Sequence, residues 1–337
     1  MKIKILYLGN QLANHGYNKT TIETLGPALE QEGYLVQYSS DKKIFLFRMF
    51  AMIWSTIRYS RKVDYILMDT YSTKAFWYVL LCSQLARLLK VKYILILHGG
   101  NLPQRLQNNP YMSQLVFQHA YKNVAPSRYL QYEFELAGFR NVENIPNAIA
   151  INEYPFLLRA TLQPKLLWVR AFAAIYNPKM AVDVLVNLKK KYPTASLTMV
   201  GPDKDGSLQS TKDYAHSKGA AVTFTGQLSK QNWFELAEEH SIFINTTHFD
   251  NTPISVMEAM ALGLPVVSTN VGGIPYLLTD EVDAVLVGDN QAQEMTDAII
   301  RLLENPMQTA EIIKKARTNI EQLDWEVIKN KWHQLLK

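Results

Sequence analysis

Short apolar runs and helical stretches alternate along the whole of this chain, and that alternation constrains its fold more than any other feature. Residues 3–8, 34–38, 63–68, 93–97, 123–125 and 142–145 read as strands, separated by helical stretches such as 19–31, 74–89 and 129–136. A second series follows at 165–169, 196–200, 221–224, 242–245, 264–268 and 284–287, then helices at 292–304 and 307–321. Strands this short and this apolar, each followed by a helix, pair in parallel with both sheet faces covered. The pattern predicts two Rossmann-like α/β domains with ligands beyond the carboxyl ends of their strands. A last amphipathic helix puts Trp325, Ile328, Trp332 and Leu335 on one stripe.

Composition agrees with two cores: 337 residues, 48% of them apolar. Lys plus Arg number 35 against 30 Asp plus Glu, a net +5 that favours an anionic substrate or a membrane surface without requiring either. Nucleic acid is not among the expected partners. Cys82 is the only cysteine, which excludes an intramolecular disulfide and a cysteine zinc site and suits a reducing compartment. The opening MKIKILYLGN reads as a first strand, its apolar run being too short for a signal peptide. The apolar tracts 44–57 and 75–89 fall short of about 18 uninterrupted residues and both contain Arg, so a soluble or peripheral protein is expected. HExxH, a Walker loop, GxSxG and a metal-spaced His cluster are all missing, and the first loop, GNQLANHGYN, lacks GxGxxG.

The stretch DNTPISVMEAMALG, Asp250 to Gly263, is the chemical focus. A buried strand runs into a helix whose start is read as Thr252 at the N-cap and Pro253 at the first helical position. Such an end suits a phosphate or diphosphate. Glu258, on the second turn, can accept two hydrogen bonds from a ribose diol, although a Glu early in a helix also simply suits its dipole. His98 follows a buried strand and precedes Gly99 and Gly100, a place for either a structural histidine or a ligand-facing one. Arg105 is either an ordinary exposed arginine or a contact for an anionic acceptor.

The run from Asp250 through Glu258, Ala259, Met260, Ala261, Leu262 and Gly263 to Gly272, Gly273, Ile274 and Pro275 closely resembles the donor-site signature of retaining glycosyltransferases of family 4, which have the GT-B fold. The resemblance implies two Rossmann-like domains facing across a cleft. It puts the acceptor-side domain at residues 1–150, the nucleotide-sugar domain at 151–321 and a terminal helix at 322–337 that packs back on the first domain, with IPNAIAINEYPF as the linker. By the same resemblance Glu258 holds the ribose, and Arg170 with the Thr252 helix end neutralises the diphosphate. Asn251 and Ile254 lie beside them among the donor-binding residues. Lys179 stands one residue early, since Met180 occupies the family's lysine position; it either swings in or stays a solvated first-turn lysine. Asp250, where the family has Glu, would meet the sugar hydroxyls, and His98 the donor sugar, as the two catalytic candidates. Gly226, Leu228 and the GPDKDG loop resemble the loops that hold the base. Gly16 matches the first-loop glycine facing the diphosphate, or merely shapes a turn; Gly272 and Gly273 keep a loop slim beside the diphosphate, or form a plain turn.

The implied activity is retaining transfer of a sugar from a UDP- or GDP-linked donor to an acceptor hydroxyl, without metal or cofactor and without a protein nucleophile. The acceptor would be a glycan or a lipid-linked compound of cell-surface polysaccharide or glycolipid synthesis, met in the cytoplasm at the inner face of the membrane. A nucleotide-sugar epimerase of the same fold and a non-catalytic partner subunit are the rival readings. Residues 42–62 hold six basic residues and no acid around Phe45, Phe47, Phe50, Ile53, Trp54 and Ile57. Arg48, Ser55, Arg58 and Lys62 fall on one helical face, so the segment is either a helix packed on the first sheet or one that lies on anionic lipid.

Overall fold

The computed structural model describes the chain apart from residues 1, 16–19, 100 and 160, so Gly16 and Gly100 lie outside the described residues. Two units separate: residues 1–147 with 328–337, and residues 148–327. Among the described residues no helix is long and apolar enough to cross a membrane.

In the first unit β1 (Lys4–Leu8), α1 (Thr21–Gln31), β2 (Leu35–Ser39), α2 (Phe45–Tyr59), β3 (Tyr65–Tyr71), α3 (Phe76–Leu88) and β4 (Lys92–His98) alternate as the periodicity predicts. Then come α4 (Leu102–Asn108), α5 (Pro110–Phe117), β5 (Lys122–Ala125), α6 (Arg128–Leu136) and β6 (Val142–Asn144). The sheet order is β2-β1-β3-β4-β5-β6, every pair parallel. Right-handed crossovers from β2 to β3 and from β3 to β4 put α2 and α3 on one face, where they pack on Leu6, Leu8, Ile66 and Met68. The alternating residues Tyr7, Asp69 and His98 therefore belong to the opposite face.

Two details of α2 depart from the sequence reading. Arg48 is buried, and its guanidinium donates to the carbonyls of Lys42 (2.7 Å) and Lys43 (3.2 Å), tying down the segment that enters the helix. Of the expected basic face Arg48 is thus buried and Ser55 half-buried, while Arg58 and Lys62 are exposed, and Phe47, Phe50, Trp54 and Ile57 are exposed as well.

The second unit runs β7 (Lys165–Val169), α7 (Pro178–Lys189), β8 (Ser196–Val200), α8 (Ser207–Ser217), β9 (Thr223–Gly226), α9 (Lys230–Glu238), β10 (Ile242–Asn245) and α10 (Ile254–Ala261). It continues with β11 (Val266–Thr269), α11 (Ile274–Leu277), β12 (Val285–Val287), α12 (Ala292–Glu304) and α13 (Pro306–Glu321). Its parallel sheet has the order β12-β11-β10-β7-β8-β9. The period of two sends Leu166 and Trp168 into one core with α7 and α12, and Leu167 into the other with α10 and α13. Arg159, entering this unit, is buried; its guanidinium donates to the carbonyls of Ala237, His240, Leu262 and Gly263, at the carboxyl ends of α9 and α10. Burial pushes its pKa down to about 10.

The last helix, α14 (Trp325–Leu335), begins in the second unit, and from Ile328 onward the chain belongs to the first. Ile328, Trp332 and Leu335 are buried, and Tyr34 meets His333 Nδ1 at 2.8 Å. Trp332→Ala should destabilise the first unit by about 3–5 kcal/mol, the usual result of deleting a buried indole. An unchanged melting temperature would mean that the terminal helix adds nothing.

Candidate functional site

In the second unit the order of strands reverses at the β7–β10 neighbours, since β7 is followed by β8 on one side while β10 lies on the other. Loops leaving such neighbours diverge and open a crevice at the carboxyl edge, the usual ligand position in this kind of sheet. Arg170 is the first residue beyond β7, and Asp250 lies in the segment between β10 and α10. The two form an ion pair, both side chains mostly buried, and the guanidinium carbon of Arg170 sits 4.4 Å from the centre of the Tyr176 ring. Burial lowers the pKa of Arg170, with Tyr176 acting in the opposite direction. Asp250 Oδ1 accepts the N–H of Asn251 at 2.8 Å.

The loops around this pair are cross-tied. Arg170 N–H donates to Val200 O (3.0 Å), Phe172 N–H to Pro202 O (2.8 Å), and Asp205 accepts the Ala174 N–H (2.9 Å). Gly201 is needed for this crossing: a Cβ there would run into the Arg170 carbonyl. On the other side Gly273 N–H donates to Asp250 O (2.7 Å), and a Cβ on Gly273 would occupy the place of the Asn251 carbonyl. Close approach of two backbones, rather than a turn alone, thus explains the glycine pair Gly272 and Gly273.

The start of α10 differs from the sequence expectation. Pro253 is the N-cap (φ −72°, ψ 110°), its carbonyl accepting from Val256 (3.1 Å) and Met257 (3.2 Å), and Ile254 is the first helical residue, its side chain exposed. Thr252 lies one residue before the cap, because Pro253 itself keeps an extended ψ of 110° and helical backbone begins only at Ile254. The Thr252 Oγ1 is buried without a hydrogen-bond partner, as are Ser255 Oγ on the first turn and Arg170 Nε. An unmatched buried donor costs about 1–3 kcal/mol. Three of them at one strand edge, with the free amides of a helix start, suit a ligand rich in acceptor oxygens.

Glu258, on the second turn of α10, accepts the Tyr154 hydroxyl at 2.9 Å. Burial raises its pKa, while that hydrogen bond and Lys230 pull it back. Lys230 lies over the Tyr154 ring at 4.3 Å and pairs with Glu153 at 2.8 Å. Leu228 packs against the core that contains Tyr154, Trp233 and Phe234, and Gly226, closing β9, accepts the Gly201 N–H at 2.9 Å. Lys179 is exposed on the first turn of α7 with its ammonium 5.7 Å from the Tyr214 ring centre, whereas Met180 is buried in the core.

In the first unit His98 is the last residue of β4 rather than the first beyond it. The register pairs Asp69 with Ile96 and Tyr71 with His98, which sets Asp69 diagonally beside His98 on one face. Asp69 is fully buried and takes both the Tyr7 hydroxyl and His98 Nε2 at 3.0 Å, and the Tyr71 ring stacks on the imidazole at 4.8 Å. Arg105 donates to the Ser72 carbonyl and lies over the Phe76 ring at 4.3 Å, a role within its own unit. Asp69 and Tyr154 are absent from the sequence-derived site; the one available signal was a carboxylate inside the otherwise apolar strand YILMDTY.

Residues 154–319 match the family Glycosyl transferases group 1. A D-inositol 3-phosphate glycosyltransferase of Gordonia bronchialis is 28% identical over 168 residues, 46% of this chain and 37% of the relative. An uncharacterized glycosyltransferase of Haemophilus influenzae is 24% identical over 240 residues, 61% of this chain and 67% of the relative. The chain therefore spans well under half the length of the first of these relatives. Among solved structures, Anabaena Alr3699/HepE in complex with UDP and glucose superposes with a TM-score of 0.76 at 20% identity, over 99% of each chain. Sucrose-phosphate synthase from Thermosynechococcus elongatus does so with a TM-score of 0.78 at 16% identity, over 99% of this chain and 98% of the other. At such identities the likeness is one of fold: two parallel six-stranded sheets flanked by helices, as in GT-B glycosyltransferases.

Gly273→Ala should lower the melting temperature, because its methyl group must displace the Asn251 backbone; overpacking of this kind costs about 1–3 kcal/mol. A melting curve that does not move would show that the two loops can part freely.

Proposed function

We propose that this chain, whose residues 154–319 carry the glycosyl transferases group 1 region, is a glycosyltransferase that takes a sugar from a nucleoside-diphosphate sugar to an acceptor hydroxyl with retention of anomeric configuration. The observation that carries the reading is the group of unmatched donors Arg170 Nε, Thr252 Oγ1 and Ser255 Oγ at the strand-order reversal, with the Glu258 carboxylate one helical turn further on. Arg170 and the amides at the start of α10 receive the diphosphate, and Glu258 accepts from the ribose diol.

In this reading the acceptor hydroxyl attacks the anomeric carbon from the face that the diphosphate leaves. The new C–O bond forms as the bond to the β-phosphate oxygen breaks, and that oxygen takes the hydroxyl proton. Arg170 stabilises the charge that gathers on the leaving group, without a metal ion. Asp250 holds the guanidinium of Arg170 in place and turns to the sugar hydroxyls when the diphosphate competes for that cation. His98, braced by Asp69, is assigned a hydrogen bond to the donor sugar. The acceptor is a glycan or lipid-linked compound of cell-surface polymer synthesis, reached in the cytoplasm at the inner membrane face through contact by residues 42–62. The donor nucleotide is UDP or GDP; the Anabaena neighbour was solved with UDP, which favours uridine.

Thermal unfolding with UDP, GDP, ADP and no ligand tests the donor site. A nucleotide at 100 times its dissociation constant stabilises the native state by about 2.7 kcal/mol, and Glu258→Ala should lose most of the shift. If no nucleotide moves the transition, the donor-site reading fails; if one does but no sugar transfer follows with any acceptor, the non-catalytic reading takes its place. The anomeric configuration of the product, read by NMR, tests retention.

Nucleotide affinity should also depend on pH. The ionised Glu258 accepts two hydrogen bonds, and burial raises its pKa, so affinity should fall with decreasing pH at a higher pH than an ordinary glutamate would produce. The loss should approach about ten-fold per pH unit below that pKa, and Glu258→Gln should flatten the profile. An identical profile in the variant would take the ribose role away from Glu258.

A further inference from the structure

The protein uses only one of the two carboxylate oxygens of Glu258. Oε1 accepts the Tyr154 hydroxyl at 2.9 Å, whereas among the described residues Oε2 accepts no hydrogen bond and is not sealed from the surface. A glutamate has three side-chain torsions to set, and a half-buried carboxylate can turn in several ways. The tie at Oε1 limits where Oε2 points. A bonded oxygen that steadies the group, beside an open one, is how a ligand-binding carboxylate is oriented.

Tyr154 is itself fixed in place. A short 3-10 turn over Ile151–Glu153 ends with the Tyr154 N–H donating to Ile151 O at 3.1 Å. The Tyr154 carbonyl accepts from Arg317 Nη1 at 3.2 Å, and the same nitrogen donates at 2.7 Å to Ala261 O, at the end of α10. The backbone of Tyr154 is thereby tied to the helix that carries Glu258. Tyr154 is 5% exposed, its ring 4.9 Å from the Phe234 ring centre and under the Lys230 ammonium at 4.3 Å. Burial, and then the Glu258 charge, raise the phenol's pKa, so the proton stays on Tyr154 and its hydroxyl donates to the carboxylate. A phenylalanine would fill the same space against Phe234; what the hydroxyl adds is the bond to Glu258.

We infer that Tyr154 is a positioning residue of the nucleotide site, its hydroxyl turning the Glu258 carboxylate so that Oε2 and the remaining lone pair of Oε1 meet a vicinal diol, and that ribonucleotides are thereby selected over nucleotides without that diol. The inference rests on the reading of Glu258 as the ribose partner and goes beyond it, since it assigns the aim of the carboxylate to a residue more than a hundred positions away. Every group it invokes lies within the second unit.

Calorimetric titration of the full chain with UDP and 2′,3′-dideoxyUDP, and with GDP and 2′,3′-dideoxyGDP, tests the inference. The protein should bind the ribonucleotide about ten-fold or more tighter than its dideoxy form, because hydrogen bonds to a charged group are then left unmade. Tyr154→Phe keeps the ring and removes only the hydroxyl. It should weaken the ribonucleotide by about ten-fold and the dideoxynucleotide by less than about two-fold. Ribonucleotide affinity against pH gives a second readout. The Tyr154 hydrogen bond and Lys230 favour the ionised Glu258 against burial; Glu153, paired with Lys230, and Arg317, on the Tyr154 carbonyl, are the other charged groups around the pair. Without the hydroxyl, the loss of affinity on acidification should therefore set in at a higher pH than in the parent. Equal weakening of both nucleotides by Tyr154→Phe, an unchanged preference or an unmoved pH profile overturns the inference. If Glu258→Gln keeps the parent's preference, or the parent binds neither nucleotide, the ribose reading itself fails and takes the inference with it. A preference lost in Glu258→Gln but kept in Tyr154→Phe defeats the inference alone.

Discussion

Because every strand pair in both sheets is parallel, each strand needs a crossover before the next, and all strand ends of one polarity fall on one edge. The chemistry of each unit is gathered by that constraint. In the second unit the strand-order reversal between β7 and β10 leaves Arg170 and Asp250 beside each other. The first unit reverses between β1 and β3, and there Gly9 passes so close to the Asp69 carboxylate that a Cβ would meet its Oδ2 at 2.6 Å. The same topological position thus carries a buried carboxylate pair partner twice, once with arginine and once with histidine.

Burying such charges is not a route to stability. Two ions withdrawn from water lose hydration that their attraction only partly returns, and an apolar pair of similar volume often does as well. Arg170 pays this penalty while leaving its Nε unmatched, and the Thr252 and Ser255 hydroxyls add to it. The surrounding loops spend their own hydrogen bonds on holding those groups still: Asp205 restrains Ala174, Gly273 grips Asp250, and Thr246 accepts Trp168 while donating to the Tyr176 carbonyl. Rigid placement of under-satisfied donors is what a site needs when charge must be met without reorganisation.

The sequence carried most of the fold because buried parallel strands are written as continuous apolar runs, and IFIN or LLWV can hardly be anything else. It did not carry α4 and α5, whose seven and eight residues are too few for a clear period and are divided by Asn109 and Pro110. The start of α10 was misplaced by one residue, since Thr252 before Pro253 has the residue types of a cap and first helical position, while Pro253 itself stays extended and takes the cap. Arg48 looked like a surface cation because its spacing matched Arg58; only the two carbonyls that it binds reveal why it turns inward. Asp69 and Tyr154 escaped notice for a different reason. Their roles depend on neighbours 29 and 104 residues away, and no local pattern encodes such a distance.

Arg159 has a bearing on how this chain can be divided. It lies before β7 in a stretch with no regular structure, where a boundary drawn from the strand pattern alone would be tempting. Yet its guanidinium gathers the last carbonyls of α9 and α10, and Arg317 of α13 takes those of Tyr154 and Ala261 close by. Trimming the second unit to begin at its first strand would strip the carboxyl end of α10 of one of its two cations, leaving Arg317 on Ala261 but the Leu262 and Gly263 carbonyls without Arg159. The apparent linker is an internal strut, so the smallest independent piece must reach back to the 148–159 segment.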